Sequence, residues 1–311
     1  MDNKNIKVEF INDINLIEKK QWDLCACPET LEGKKIIDPF TTYNFISALE
    51  NSGSVGKDTG WHSCHVVVKI EKEIIAVMPL YLKGHSQGEY IFDHNWAQAY
   101  HNFGGSYYPK IQSAVPFTPV TGRRFLTKKG FEKQGRDALE RGIINLALNN
   151  KISSAHITFC TSNEAMKVSD NNFLKRKTLQ YHWENKGFSN FEDFLNSLSS
   201  RKRKTIKKER NIATSLFKEK GGIYSFTGPE LKDKHWDSFW GFYQDTGNRK
   251  WGIPYLTRDF FQLINESMSE NILLFLAIEN NIPIAGALNF IGADTLFGRY
   301  WGCSKYHSCL H

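Results

Sequence analysis

The densest chemistry in this sequence is cationic. Arg201 to Arg210 carries seven Lys or Arg against the single acid Glu209, a net +6 in a chain whose total is +7. Ile206, Ala213 and Leu216 recur on one seam, so the spacing predicts a helix with one buried stripe and a basic outer face. Two readings of that face stand open. It is a solvated surface, as most charge runs are, or it is an electrostatic site where Arg201, Lys204, Lys207 and Lys208 meet phosphates, either of a nucleotide-bearing donor or of an RNA. Two further segments are dense in residue types that recognise ligands. The first holds Trp96, Tyr100, Tyr108 and Lys110, then Thr118 and Arg123. Pro116 and Pro119 each remove a backbone donor and fix φ, so Val115 to Arg123 reads as a stiff loop able to hold side chains in place. The second runs from Tyr243 to Tyr255 and includes Asp245, Arg249, Lys250 and Trp251, with Gly247 and Gly252 suited to a helix end and a turn.

Other chemistries lack their residues. Gly53-Ser-Val-Gly56-Lys57 has no first glycine at phosphate-loop spacing and follows a helical pattern where a strand is needed. There is no Gly-x-Ser-x-Gly elbow, no His-Glu-x-x-His and no dinucleotide fingerprint, so hydrolase and dehydrogenase readings have no foothold. Cys303, His307, Cys309 and His311 are possible zinc ligands, but their short gaps leave too little backbone to wrap a tetrahedral ion. No metal is expected. The six cysteines are scattered through a long chain, which predicts reduced thiols and not a disulfide framework.

The elements that must position these residues are read from periodicity. Strand patterns cover 6–10, 61–70, 73–82, 155–160 and 179–183, with 61–70 and 73–82 forming an antiparallel pair. Helical patterns cover 14–25, 42–49 and 131–148. Beyond a boundary near Asn185, a short helix around Phe191 to Leu198 precedes the basic helix, and helices follow at 232–246 and 257–268. Runs at 272–278, 282–291 and 295–301, joined by Asn280-Asn281 and Gly292-Ala293-Asp294, predict an antiparallel meander. The fold class is therefore α/β in the α+β sense, in two parts, 1–185 and 186–311, with the basic helix at 200–219. The first residues alternate charged and apolar types and the longest apolar run, 272–278, is far short of the roughly 18 residues a membrane span needs. A cytoplasmic protein without a transmembrane segment is expected.

Four stretches together resemble a known family: WAQAYHNFGGSYYPKIQSAVPFTPVTGRRFL, SSRKRKTIKKERN, FYQDTGNRKWGIPYLTRDFF and GRYWGCSKYHSCLH. They are similar to bacterial predicted N-acyltransferases of peptidoglycan biosynthesis or recognition, related to the Fem aminoacyl transferases and built from two GNAT-like domains. The resemblance runs from about Trp22 to His311. It implies transfer of an acyl or aminoacyl group, from acyl-CoA or aminoacyl-tRNA, to a small amine or cell-wall precursor, without a metal. Within it Asp245 would accept a proton from the amine and Tyr255 or Tyr300 would act as a hydroxyl acid. Arg249, Lys250 and Arg299 would hold phosphate or carboxylate. The family continues past His311 with a helix and strands, so the second domain is expected to be C-terminally incomplete. Ile284, Leu288 and Phe290 would then lie uncovered, leaving a chain that self-associates through this sheet and is inactive in transfer, while a fragment ending near Asn185 folds alone. The alternative is a binding module for peptidoglycan fragments or RNA without chemistry.

Overall fold

The computed structural model describes residues 6–169, 173–215, 217, 221–250, 252 and 254–310. The first half opens with β1 (Ile6–Ile11), α1 (Lys19–Ala26) and α2 (Tyr43–Asn51), then β2 (Trp61–Ser63), β3 (His65–Ile70), β4 (Glu73–Met78) and β5 (Leu80–Lys83). Next come α3 (His94–Asn102), β6 (Lys110–Ser113), β7 (Leu126–Thr127), α4 (Glu132–Asn149), β8 (Ala155–Ile157) and α5 (Ser162–Ser169). The second half holds α6 (Phe191–Asn196), α7 (Ser200–Ser215), β9 (Gly221–Phe226), α8 (Asp233–Lys250) and α9 (Arg258–Met268). It ends in β10 (Ile272–Glu279), β11 (Ile282–Ile291) and β12 (Leu296–Cys303). The result is a mixed α/β fold with three four-stranded sheets, ordered β1-β3-β4-β7, β2-β5-β6-β8 and β12-β11-β10-β9.

The expected hairpin over 61–70 and 73–82 forms, but each arm breaks and passes from the first sheet to the second, at Cys64 and at Pro79. Pro79 has no N–H to give a ladder, so the strand cannot continue straight through it. The pattern at 14–25 divides into a short 3-10 turn at Ile14–Leu16, capped by Asp13, and α1. The predicted strand at 179–183 is absent. Leu179, Tyr181 and Trp183 are exposed there, and among the described residues no neighbouring strand offers a ladder to pair with. The meander β10-β11-β12 forms as expected and gains β9 along β10. Helix α4 approaches the first sheet closely at Gly135, where a Cβ would sit 2.9 Å from that of Ala76.

One apolar core runs through both halves. Phe40 lies 5.1 Å from Phe290 and 5.2 Å from Phe297, ring to ring, and Phe45 lies 5.5 Å from Phe290 and 5.6 Å from Phe260. Such tilted and edge-to-face pairs add to the area they bury. This overturns the expectation that Ile284, Leu288 and Phe290 lie uncovered: all three are buried, Leu288 and Phe290 under α8, α9 and the first half's aromatics, Ile284 against Cys303, Phe217 and Trp301. The apolar reason for self-association through that face is thereby removed. The same packing argues against independent folding of a fragment ending near Asn185, which would expose Phe40 and Phe45.

Polar contacts also cross between the halves. The Thr257 hydroxyl caps α9 by accepting from the Phe260 N–H (3.3 Å) and donates to the Ser52 carbonyl (3.1 Å), while the Thr257 N–H donates to Ser54 Oγ (3.1 Å). Thr257→Ala is expected to lower global stability by about 1–2 kcal/mol, because a helix cap and a bond between halves go together. Chemical denaturation checks this. A loss below about 0.5 kcal/mol would mean the hydroxyl is replaced by water at no cost.

Candidate functional site

The two halves meet over the backbone of Phe117, on the Pro116–Pro119 loop. Phe117 has φ of 57°, a left-handed conformation rare outside glycine, and its N–H donates to the Gly88 carbonyl at 3.2 Å. Gly88 is itself left-handed, and a Cβ there would fall 2.6 Å from the Phe117 ring. That ring stacks on Tyr255, 4.9 Å between centroids at 8°. Its carbonyl oxygen receives two donors from β12, Arg299 Nη2 at 2.6 Å and the Tyr300 hydroxyl at 3.2 Å.

Neighbouring residues of a regular strand point to opposite faces. Arg299 and Tyr300 reach one atom because β12 bulges there: Leu288 pairs with Tyr300 and Asn289 with Gly298, which leaves Arg299 outside the ladder. Tyr300 packs edge-on to Tyr243 at 5.2 Å, and Tyr243 accepts the Leu256 N–H at 3.1 Å. Tyr90, also left-handed, lies close enough to Tyr300, Arg299 and Tyr255 for their electrostatics to act on its hydroxyl. Burial pushes the hydroxyls of Tyr300, Tyr243 and Tyr90 up from the ordinary phenol value. They therefore remain protonated donors across the neutral range. Among the described residues no salt bridge to a carboxylate is seen for Arg299; it donates to the Phe117 carbonyl, lies over the Tyr300 ring and acts on the Tyr300 hydroxyl. A guanidinium and a phenol converging on one oxygen can hold a carbonyl, a carboxylate or a developing oxyanion.

Behind the site the 84–93 loop is fastened by buried charge. Lys110 Nζ donates to Glu89 Oε2 (2.7 Å), Asp93 Oδ2 (2.5 Å) and Ser86 Oγ (2.8 Å). Burial alone would raise the Asp93 carboxyl, yet the bonds from Lys110, Ser86 and Tyr107 outweigh it and hold the group at about 2. Lys83 sits 3.6 Å above the Trp61 ring, which also meets the rings of Tyr81 at 5.3 Å and Phe117 at 5.5 Å. Burial drives the Lys83 amine down to about 7.

The expected site residues separate into groups. Tyr255, Tyr300 and Arg299 come together at Phe117. Lys110 and Tyr108, which bonds Ser86 Oγ at 2.8 Å, belong to the buried support instead of a ligand surface. Thr118 is buried and bonds the Pro116 carbonyl, and Arg123 ties the loop to the Ala26 carbonyl on α1. Asp245 is paired with Arg249, which also donates to the Cys303 carbonyl at 3.2 Å. Two residues beyond Tyr243 on α8, Asp245 points roughly 200° around the helix, away from Tyr300. Trp96 and Tyr100 line an open groove of about 680 Å³ along α3, apart from this centre. The Lys250 side chain and Trp251 lie outside the described residues. On α7, Arg201, Lys204 and Lys208 are exposed, while Lys207 pairs with Glu192 at 2.8 Å. Among the described residues no group of three His, Cys, Asp or Glu is placed to hold a metal; His311 lies outside them.

Residue type alone does not single out Phe117, Tyr90, Gly88 or Lys83. Left-handed backbone at a phenylalanine has no sequence signature, and Lys83 looks like any strand-end lysine.

A family model for peptidoglycan biosynthesis/recognition, FemAB-like, matches residues 13–311. Among solved structures the chain is similar to the crystal structure of FemX, with a TM-score of 0.49 at 13% identity, over 93% of this chain and 80% of that one. That likeness is too distant to bear on chemistry. No curated protein matches the chain.

Proposed function

The chain belongs to the FemAB-like family of peptidoglycan biosynthesis/recognition, and from that premise we propose that it is an N-acyltransferase acting on a cell-wall precursor or related small amine. The observation that carries the reading is the convergence of Arg299 and Tyr300 on one oxygen between the halves. The amine nitrogen bonds to the donor's carbonyl carbon, the thioester C–S bond of an acyl-CoA or the ester C–O bond of an aminoacyl-tRNA breaks, and the amine's proton leaves with the thiol or hydroxyl. Between these events the carbonyl oxygen is an oxyanion. Arg299 and Tyr300 would donate to it in place of the Phe117 carbonyl. Tyr255 and Tyr90 lie beside these donors, and orientation against their rings would supply proximity. The pair of GNAT-like domains and a cytoplasmic place of action are part of this proposal.

The test is transfer of a labelled acyl group to a peptide-bearing cell-wall precursor with a free amine, offered from acyl-CoA and from aminoacyl-tRNA. Product from either donor is the expected result; none from both would overturn the reading.

The exposed cations of α7 favour a second reading, a binding module for RNA without chemistry. Reversing Lys204, Lys207 and Lys208 to Glu is expected to weaken polyanion binding and to make its salt dependence shallower, by about one unit of log–log slope for each phosphate no longer neutralised. Filter binding across a salt series measures it. Retention unchanged by both salt and these substitutions would remove the helix from any electrostatic role.

A further inference from the structure

Helix α3 has no buried residue along its whole length, from His94 to Asn102. It nevertheless carries aromatics: Trp96 and Tyr100 within it and Phe103 at its end line one groove, and Phe92 stands just before its N-cap. Their fractional exposures are, in that order, 46, 44, 93 and 76%. A phenylalanine left almost wholly in water is costly unless something covers it.

The charged side chain seen against these rings is a cation. The guanidinium of Arg176 lies 4.3 Å over the Trp96 ring, and Lys175 and Lys177 flank it, all exposed. Between Ser86 and Pro109 the acids are Glu89 and Asp93, and both are buried on Lys110. The face therefore offers apolar rings and cations with no exposed carboxylate from its own segment. The polar groups at the bottom of the groove are already engaged, Ser153 with the Tyr107 carbonyl and Ser154 with His156. A sugar would find few free partners there.

We propose that this face docks the protein peripherally on an anionic lipid bilayer, with Phe92 and Phe103 entering the acyl boundary, Trp96 and Tyr100 at headgroup level, and Arg176 on lipid phosphate. Aromatic rings with a polar edge favour the interface, phenyl groups gain by leaving water, and each nearby cation is drawn to the surface potential. This inference does not rest on acyl transfer.

The experiment is flotation of the full chain with vesicles of phosphatidylcholine alone and of phosphatidylcholine mixed with phosphatidylglycerol. The chain is expected to float with the mixed vesicles, less so at high salt. Phe103→Asp is expected to lower the partition by about tenfold or more, and Arg176→Glu to remove most of the preference for the anionic lipid. Phe103 bears no core contact, so circular dichroism of the variant should match the parent. Failure to float with the mixed vesicles overturns the proposal, as does flotation that neither substitution changes. Retention on a cell-wall glycan, or a dimer that Phe103→Asp dissociates, without vesicle binding, would assign the face to that occupant instead.

Discussion

Arg299→Ala and Tyr300→Phe are each expected to lower kcat/KM for acyl transfer by about 100-fold to 1000-fold, the effect of removing one donor from an oxyanion site. Neither should unfold the protein. Arg299 makes no ion pair among the described residues, and the phenylalanine ring keeps its packing on Tyr243. Because both donors address one oxygen, the double variant should lose less than the product of the single losses. Arg299→Lys is expected to recover part of the loss through charge alone, without the fork geometry of a guanidinium. Single variants within about threefold of the parent would show that the convergence on Phe117 is only a tie between the two halves.

Lys110→Met is expected to destabilise the fold by about 3–5 kcal/mol, since removing one partner of a buried ion cluster leaves uncompensated charge. Glu89 and Asp93 are 1% exposed as side chains, and Glu89 Oε1 and Asp93 Oδ1 already lack a hydrogen-bond partner. The pH dependence supplies a sign that simple loss of packing would not. In the parent the Asp93 carboxyl is held at about 2, below its value in the unfolded chain. Its contribution is thus present above about pH 4 and lost as pH falls through 2. Burial already raises Glu89 in the parent, and without Lys110 burial is expected to raise Asp93 too, so each carboxyl would favour the fold at low pH and oppose it as pH rises. The deficit of the variant should therefore shrink on acidification toward pH 4. Adding Glu89→Gln and Asp93→Asn to Lys110→Met should restore part of the stability at pH 7. Equal denaturation midpoints for Lys110→Met and the parent at pH 7 would refute the argument.

The residues behind these expectations differ in how plainly the chain announces them. The helices at 132–149 and 258–268, the body of the one at 233–250 and the β10-β11-β12 meander were legible from apolar periodicity and turn residues, because both are properties of neighbours in sequence, but Gly247, expected at a helix end, lies inside α8. The proline-stiffened loop was legible for the same reason, since a proline acts on its own backbone. Lys110, by contrast, reads as a ligand-recognising cation until the fold brings Glu89 and Asp93 to it. The break of the long hairpin at Cys64 and Pro79 was not read from the sequence, whose strand patterns run unbroken over 61–70 and 73–82, although Pro79 carries a local signal for it.

Family, mixed α/β class and the ligand-type residues Tyr255, Arg299 and Tyr300 were therefore present in the chain as written. Their meeting at Phe117, two on its carbonyl and one on its ring, was decided by the tertiary structure. It takes a left-handed Phe117 held by Gly88, a bulge that turns Arg299 beside Tyr300, and an aromatic core of Phe40, Phe45 and Phe290 that seats one half on the other. Each of these depends on contacts between residues far apart in the chain, and a periodicity of two or of 3.6 carries no information about what lies across a seam.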